Sequence, residues 1–133
     1  DIFMEQEMHL VVNKPVKLII GAKDVIHDVG LAHFRMKMDA VPGTPTTMWF
    51  TPRFTTKQMA EKTGKPNFTY EISCDQMCGQ GHWSMRGVIV VETQEEFDFL
   101  YGLFVAGGGC RKEICHNYNH ELDIGFFKLL QQR

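Results

Sequence analysis

The chain contains 133 residues, of which 44% are hydrophobic and 23% are charged, and its 14 basic and 16 acidic side chains give a formal charge of −2. This length fits one domain with a real core, and the composition excludes a disordered chain and disfavours a nucleic-acid partner. The longest segment without charged or strongly polar residues, Phe99 to Cys110, is shorter than the roughly 20 apolar residues that a membrane-spanning helix needs.

The first half of the chain predicts short β-strands. Residues 8–20 read as two strands interrupted by a turn at Asn13-Lys14-Pro15, because β-branched and apolar residues flank the turn residues. Residues 34–38 alternate between apolar and basic side chains, as a half-buried strand does. A turn over residues 41–45 then leads into a strand over residues 46–50.

The second half adds further strands and short helices. Residues 56–62, followed by Gly64, predict a short helix, and Thr93 to Glu96 form a capping-box pattern that opens another. Strands are predicted over residues 68–73 and 85–92, and the apolar positions of residues 122–130 suggest one face of a helix. Many short strands with little helix predict an all-β sandwich with short helical decorations.

Residues 74–85, with the sequence C-D-Q-M-C-G-Q-G-H-W-S-M, join two predicted strands. Two thiols, an imidazole and a thioether in one loop favour copper, because methionine sulfur is a poor ligand for zinc and for hard cations. His27 is the best-placed further ligand outside the loop. The alternative is a structural disulfide or a zinc half-site, with Met85 in the core and His82 at the surface.

The pattern C-x-[EQ]-x-C-G-x-x-H-x-x-M from Cys74 to Met85, with D-V-I-H at 24–27 and K-M-D-A-V-P-G at 37–43, resembles a known family. The likeness covers about residues 8–98 and is to the dinuclear copper (CuA) domain of subunit II of bacterial haem-copper cytochrome c oxidases. It implies a cupredoxin-like Greek-key β-sandwich over residues 1–100, at the periplasmic face of the bacterial inner membrane. It also implies that the domain accepts electrons from cytochrome c and passes them to haem in subunit I, where oxygen is reduced to water.

The resemblance further implies the ligands of two copper ions: the bridging thiolates of Cys74 and Cys78, the imidazoles of His27 and His82, the thioether of Met85 and the backbone carbonyl of Gln76. Two bridging thiolates spread one unpaired electron over both metals, so the bonds change little on reduction. The domain itself then transfers electrons and contains no catalytic residue.

Several residues are candidates for electron entry and partner docking. Trp83, beside a ligand histidine, lies either where the donor docks or against its own sandwich. Four carboxylates are candidate contacts for a basic cytochrome, with ordinary solvated side chains as the alternative: Asp28, Asp39, Asp75 and Glu92. Surface or hydrogen-bonded roles are expected for the remaining histidines: His9, His33, His116 and His120.

Three features depart from the family pattern. Gln76 stands where the family carries a glutamate that helps to bind magnesium at the subunit interface, so a magnesium site here is doubtful. The family's membrane anchor and the strand before the domain are missing, so we expect a mature or truncated piece. Residues 101–133 form a tail of unknown role without a match, which could pack against another oxidase subunit.

The tail also contains the pair Cys110 and Cys115, followed by His116. The spacing is two residues longer than that of a haem c attachment site, and no methionine follows Met85, so covalent haem is not expected. A local disulfide or two free thiols fit the pair better.

Two other functions remain as alternatives. The first is a periplasmic copper carrier or assembly protein with a mononuclear site made by Cys74, Cys78, His82 and Met85. The second is an interaction module without metal, in which Cys74 and Cys78 form a disulfide. Nitrous-oxide reductase uses a similar copper site, but its loop carries a tryptophan between the thiols, where this chain has residues 75–77.

Overall fold

The computed structural model describes residues 7–80, 82, 85–106, 120–124 and 127–131. Within these residues the chain forms nine strands, two α-helices and a 3₁₀ turn at Ala32–Phe34. The elements are β1 (Glu7–Val11), β2 (Val16–Ile20), β3 (His27–Leu31), β4 (Met36–Ala40), β5 (Thr46–Phe50), α1 (Thr56–Thr63), β6 (Tyr70–Ser73), β7 (Arg86–Glu92), α2 (Gln94–Ala106), β8 (His120–Ile124) and β9 (Phe127–Gln131).

The strands form two sheets. The first has the order β1-β7-β6-β3-β4, with β1 parallel to β7 and the other neighbours antiparallel. The second has the order β5-β2-β9-β8 and is antiparallel throughout. The two strands predicted within residues 8–20 are confirmed, but they lie in different sheets. Asn13, with φ of 58°, lies in the turn where the chain passes from one sheet to the other.

The core is a continuous cluster of apolar side chains from both sheets. On β2, for example, Val16, Leu18 and Ile20 are buried whereas Lys17 is exposed, which is the alternation expected of a strand with one face on a core. The largest contributions come from Met8, Leu10, Val16, Leu18, Ile20, Val29, Leu31, Met48, Phe50, Tyr70, Ile72, Ile89 and Val91.

Both predicted helices are confirmed at their N-termini. Thr55 caps α1 in a capping box with Gln58, and Gly64 ends the helix in the left-handed conformation with φ of 67°. Before α2, the backbone N–H groups of Thr93 and Glu96 each donate to the other residue's side chain. No helix in the described residues is long and apolar enough to cross a membrane.

Two predictions from the sequence differ from the structure. The helical face proposed for residues 122–130 is wrong: β8 and β9 form a hairpin there, and β9 pairs with β2. The sequence of this segment alternates, with Leu122 and Ile124 separated by Asp123, which is the period of a strand. Strand β3 was not predicted, because it begins with the polar residues His27 and Asp28, both of which are buried.

Candidate metal centre

The loop over residues 74–85 leaves β6 and returns into β7, so its two ends are neighbours. The Cys74 N–H donates to the Met85 carbonyl at 3.1 Å, which extends the β6–β7 pairing by one residue. Within the loop the His82 N–H donates to the Gly79 carbonyl at 3.2 Å. Gly79 has φ of 136°, a conformation open mainly to glycine, so this residue allows the chain to turn back. The first and last donor residues of the loop are thereby brought together.

Three donor atoms surround the sulfur of Cys78. Its Sγ lies 3.7 Å from Cys74 Sγ, 3.5 Å from His82 Nδ1 and 3.4 Å from Met85 Sδ. All of these side chains were predicted as ligands, and the structure brings them to one point. Met85 therefore lies in this donor cluster, and it is not a member of the hydrophobic core.

A second group of donors surrounds the sulfur of Cys74. Its Sγ lies 4.0 Å from His27 Nδ1 and 3.2 Å from the Gln76 carbonyl oxygen. His27 reaches the loop because β3 runs antiparallel to β6 with Gly30 opposite Ser73, so β3 begins where β6 ends. Donor atoms of His27, Cys74 and Cys78 lie within 4.8 Å of one another, close enough to hold a metal ion.

Asp24 orients the His27 ring. The carboxylate Oδ1 lies 2.8 Å from Nε2 of the buried imidazole, which leaves Nδ1 facing the sulfur. This hydrogen bond lowers the pKa of Asp24. Burial lowers the pKa of His27, but the interactions with Asp24 and Cys74 outweigh it and raise the pKa overall. A carboxylate behind a ligand histidine fixes its tautomer and orientation. Sequence reasoning missed this role, although Asp24 precedes His27 by three residues in the quoted D-V-I-H motif.

The two thiols differ in acidity. Burial opposes ionisation of Cys74, but hydrogen bonds with the backbone of Asp28 and Gln76 and with the two imidazoles lower its pKa to about 7. Burial and the neighbouring Cys74 raise the pKa of Cys78. The thiolate is the form that binds metal, and the lowered pKa makes this form of Cys74 accessible near neutral pH.

Both cysteines are free thiols, so the structural disulfide considered from the sequence is not present. An open polar cleft of about 380 Å³ lies beside the site, and its walls include Cys74, His82 and Met85. The donor atoms are therefore anchored on the sandwich and remain accessible from one side.

The rim of the site is partly apolar. Met77, between the two cysteines, is 77% exposed, and Val25 and Ile26, just before His27, are 44% and 46% exposed. Large exposed apolar side chains that cluster beside a functional centre are typical of an interaction surface.

The acidic residues proposed for docking divide into exposed and buried ones. Asp39 and Asp75 are exposed. Glu92 is half-buried and lies 2.6 Å from the His9 ring, which confirms a hydrogen-bonded role for His9. The proposal that Asp28 presents surface charge is wrong, because its side chain is 0% exposed on strand β3, whose five residues are all buried.

Some predicted residues lie outside the described part of the chain. These are Trp83, Cys110, Cys115 and His116. His33 is exposed and packs edge-on against the rings of Phe68 and Tyr70, at centroid distances of 5.1 and 5.7 Å, as expected for a histidine outside the site.

The chain is similar in sequence to known oxidase subunits. The chain is 41% identical over 92 residues to cytochrome c oxidase subunit 2 of Thermostichus vulcanus, covering 69% of this chain and 24% of the relative. It is 35% identical over 98 residues to the alternative cytochrome c oxidase subunit 2 of Bradyrhizobium diazoefficiens, covering 73% of this chain and 31% of the relative. The chain thus spans less than a third of the length of these two relatives.

A solved structure shows the same fold. The periplasmic domain of subunit II of cytochrome oxidase (CoxB) of Bradyrhizobium japonicum superposes with a TM-score of 0.63 at 27% identity, covering 77% of this chain and 66% of that chain. Two sheets of this arrangement, with a thiol, imidazole and thioether cluster between β6 and β7, define a cupredoxin-like domain with a site compatible with copper. The family model "Cytochrome C oxidase subunit II, periplasmic domain" matches residues 2–93. The chain belongs to this family.

Proposed function

We propose that the chain binds two copper ions and serves as the electron-entry domain of a haem-copper oxidase. The division of the donors between the two sulfurs supports this most directly. Cys74 has His27 and the Gln76 carbonyl beside it, whereas Cys78 has His82 and Met85. A single metal ion would need only one of these two sets of donors. Two metal ions that share the thiolates would use both sets.

The residues present fit such a centre. Cys74 and Cys78, with their sulfurs 3.7 Å apart, would bridge the metals, and the two imidazoles would complete them. When bound, the copper pair supplies one-electron storage with little change in bond lengths. The chain's own part is to hold the donors in place: Asp24 fixes the His27 ring, and the β6–β7 pairing fixes the ends of the loop. A fixed donor set lowers the cost of reorganisation between redox states.

The proposed partners follow from the relatives, which are named as oxidase subunits. We propose that electrons come from cytochrome c, one at a time, and leave to a haem in subunit I, where oxygen is reduced. The apolar rim formed by Met77, Val25 and Ile26 fits a docking surface for the donor. On the basis of the sequence, we propose Trp83 and Asp39 as further docking residues. The proposed location is the periplasmic face of the bacterial inner membrane.

Other cofactors are not part of the proposal. Gln76 offers a neutral amide where the family's magnesium ligand is a carboxylate, so we expect no magnesium through this side chain. We also expect no covalent haem at Cys110 and Cys115, because their spacing does not fit the attachment motif.

Electron paramagnetic resonance of the copper-loaded, partly oxidised chain tests the proposal. One electron shared by two copper nuclei gives a seven-line hyperfine pattern, whereas a single copper gives four lines. We expect seven lines and two coppers per chain, and the loss of this pattern in Cys74→Ser, Cys78→Ser and His27→Ala. His33→Ala is the matched control, because this histidine is exposed and outside the donor cluster. A metal content of one per chain would contradict the dinuclear centre.

The second candidate function is a copper carrier with a mononuclear site. One observation favours it: Cys78, His82 and Met85 form a compact donor set by themselves, with both contacts to the sulfur at 3.5 Å or less. A carrier predicts that His27→Ala retains one copper, shows four lines and releases the metal to a competing thiol. The dinuclear centre instead predicts that His27→Ala loses the seven-line spectrum.

A further inference from the structure

Asp28 is a buried acidic residue that directly follows the proposed ligand His27. Its side chain is 0% exposed, and among the residues that the structure describes neither carboxylate oxygen accepts a hydrogen bond. Removing a carboxylate from water without hydrogen bonds is unfavourable, so such a residue calls for a role beyond packing.

The neighbouring strand supplies the opposite charge. Lys37 on β4 places its Nζ 3.3 Å from Asp28 Oδ2, while the lysine side chain is 63% exposed. Lys37 is paired with Gly30, so it reaches Asp28 diagonally across the sheet. Asp39 lies directly opposite Asp28 in the register and is exposed. Water screens the lysine and Asp39, whereas the field of the buried carboxylate extends into the protein with less screening.

Asp28 is connected to the donor cluster in two ways. It follows His27 in the chain, and its backbone hydrogen-bonds the sulfur of Cys74. Its carboxylate is therefore carried on the backbone that joins one proposed ligand and contacts another, although consecutive side chains of a strand point to opposite faces of the sheet.

We infer that the Asp28–Lys37 ion pair sets the reduction potential of the copper centre, with Asp28 lowering the potential and Lys37 partly offsetting it. The inference rests on the proposed function, because it needs copper at the site. Reduction adds an electron to the centre, so a nearby negative charge disfavours the reduced state and a positive charge favours it. The two residues act on the centre through their charges and are not ligands.

The test is a spectroelectrochemical titration of the copper-loaded chain. We expect Asp28→Asn to shift the midpoint potential upward and Lys37→Gln to shift it downward, with the double variant between the two. Both substitutions remove a charge and preserve most of the side-chain size, and loosening of the fold does not produce shifts of opposite sign. Unchanged potentials, or shifts in the same direction, would overturn the inference.

Glu71→Gln is the matched control. Glu71 is an exposed carboxylate on β6, in the same sheet, and it lines the cleft beside the site. Because water screens this charge, we expect a smaller upward shift than in Asp28→Asn, and an equal shift would contradict a special role for the buried carboxylate.

The outcomes separate this inference from the proposed function. If the unmodified chain lacks the seven-line spectrum, the proposed function fails. If the spectrum is present and retained in both single variants while the potentials stay the same, only the inference fails. If Asp28→Asn does not fold, as thermal unfolding of the metal-free chain would show, the downward shift in Lys37→Gln still decides the question.

Discussion

Gly30 marks a close approach between the strand and the loop that supply the candidate ligands. A Cβ atom at this position would lie 2.1 Å from Asp75 Oδ2 and 3.1 Å from Ser73 Oγ. The Ser73 hydroxyl in turn donates to Asp75 Oδ1 at 3.0 Å. The loop residue next to Cys74 therefore lies directly on β3, and glycine leaves the space for it.

We predict that Gly30→Ala destabilises the metal-free chain by about 0.5–1.5 kcal/mol, because the added methyl group pushes the exposed Asp75 carboxylate away from Ser73 and breaks their hydrogen bond. An Asp75→Ala background removes the two shortest contacts and leaves only Ser73 Oγ at 3.1 Å. There the same substitution is expected to stabilise the fold by roughly 0.4–1 kcal/mol through the reduced freedom of the unfolded chain. Chemical denaturation of the four proteins measures both effects. Equal effects in the two backgrounds would show that the contact with Asp75 is not the cause.

At the level of elements, α1 is fixed to the first sheet through residues at its N-terminus. Thr55 caps the helix, and the Thr56 hydroxyl accepts a hydrogen bond from the Val91 N–H on β7 at 2.9 Å. The Tyr70 hydroxyl on β6 donates to the Phe54 carbonyl at 3.1 Å. The start of the helix is thus tied to both strands that continue into the candidate metal loop.

We expect Thr55→Ala to lower the free energy of unfolding by about 1 kcal/mol, because the Gln58 N–H loses its side-chain acceptor. Thr63→Ala is the control: its hydroxyl donates to the Met59 carbonyl inside the same helix, and alanine is the better helix former there. Urea denaturation distinguishes the two, and an equally small effect of both substitutions would argue against the cap.

Ionisation of Tyr70 is expected to lower the stability of the fold at alkaline pH. Burial raises the pKa of its phenol above the ordinary value of 10.0. The folded chain therefore keeps this proton at a pH where the unfolded chain releases it, so stability is full below pH 10 and falls as the pH rises above it.

We expect Tyr70→Phe to cost about 1 kcal/mol at neutral pH, through the lost bond to Phe54, and to flatten the decline above about pH 10. The free energy of unfolding, measured from pH 8 to 11 for both proteins, tests this. If the free energy of unfolding falls equally with pH in both proteins, a group other than Tyr70 causes the loss of stability at alkaline pH.

The sequence predicted those elements whose signals are local. β5 follows from its β-branched and aromatic residues between the preceding turn and Pro52, and α1 follows from its cap and Gly64. The candidate ligands of the loop were also predictable, because they all lie within the twelve residues from Cys74 to Met85. Strand β3 was not, because its burial on both faces depends on the partner strands and on the loop that covers Gly30. The contact of Asp28 with Lys37 was missed for the same reason, since only the pairing of β3 with β4 brings them together.

At the scale of the whole molecule, the second sheet joins distant parts of the chain. β2 and β5 lie within residues 2–93, which match the family, whereas β8 and β9 lie beyond them. β9 pairs with β2 over five positions and separates it from β8. The segment that the sequence suggested as a tail, residues 101–133, therefore supplies half of the strands of this sheet.

We predict that a chain ending at residue 100, which lacks β8, β9 and the second half of α2, loses cooperative unfolding. Without β8 and β9 the second sheet keeps only β5 and β2, and a two-stranded sheet covers a core poorly. The unpaired edge of β2 would also expose backbone groups and core residues such as Leu18 to water. Domains are stable by only about 5–15 kcal/mol. We therefore expect that the lost strand pairing and the exposure of core residues leave the shortened chain without a stable fold. Thermal unfolding of the metal-free proteins measures the effect, with a chain lacking only residues 132–133 as the control. An unchanged melting transition in the chain of 100 residues would instead establish residues 1–100 as an independent unit with a separate tail.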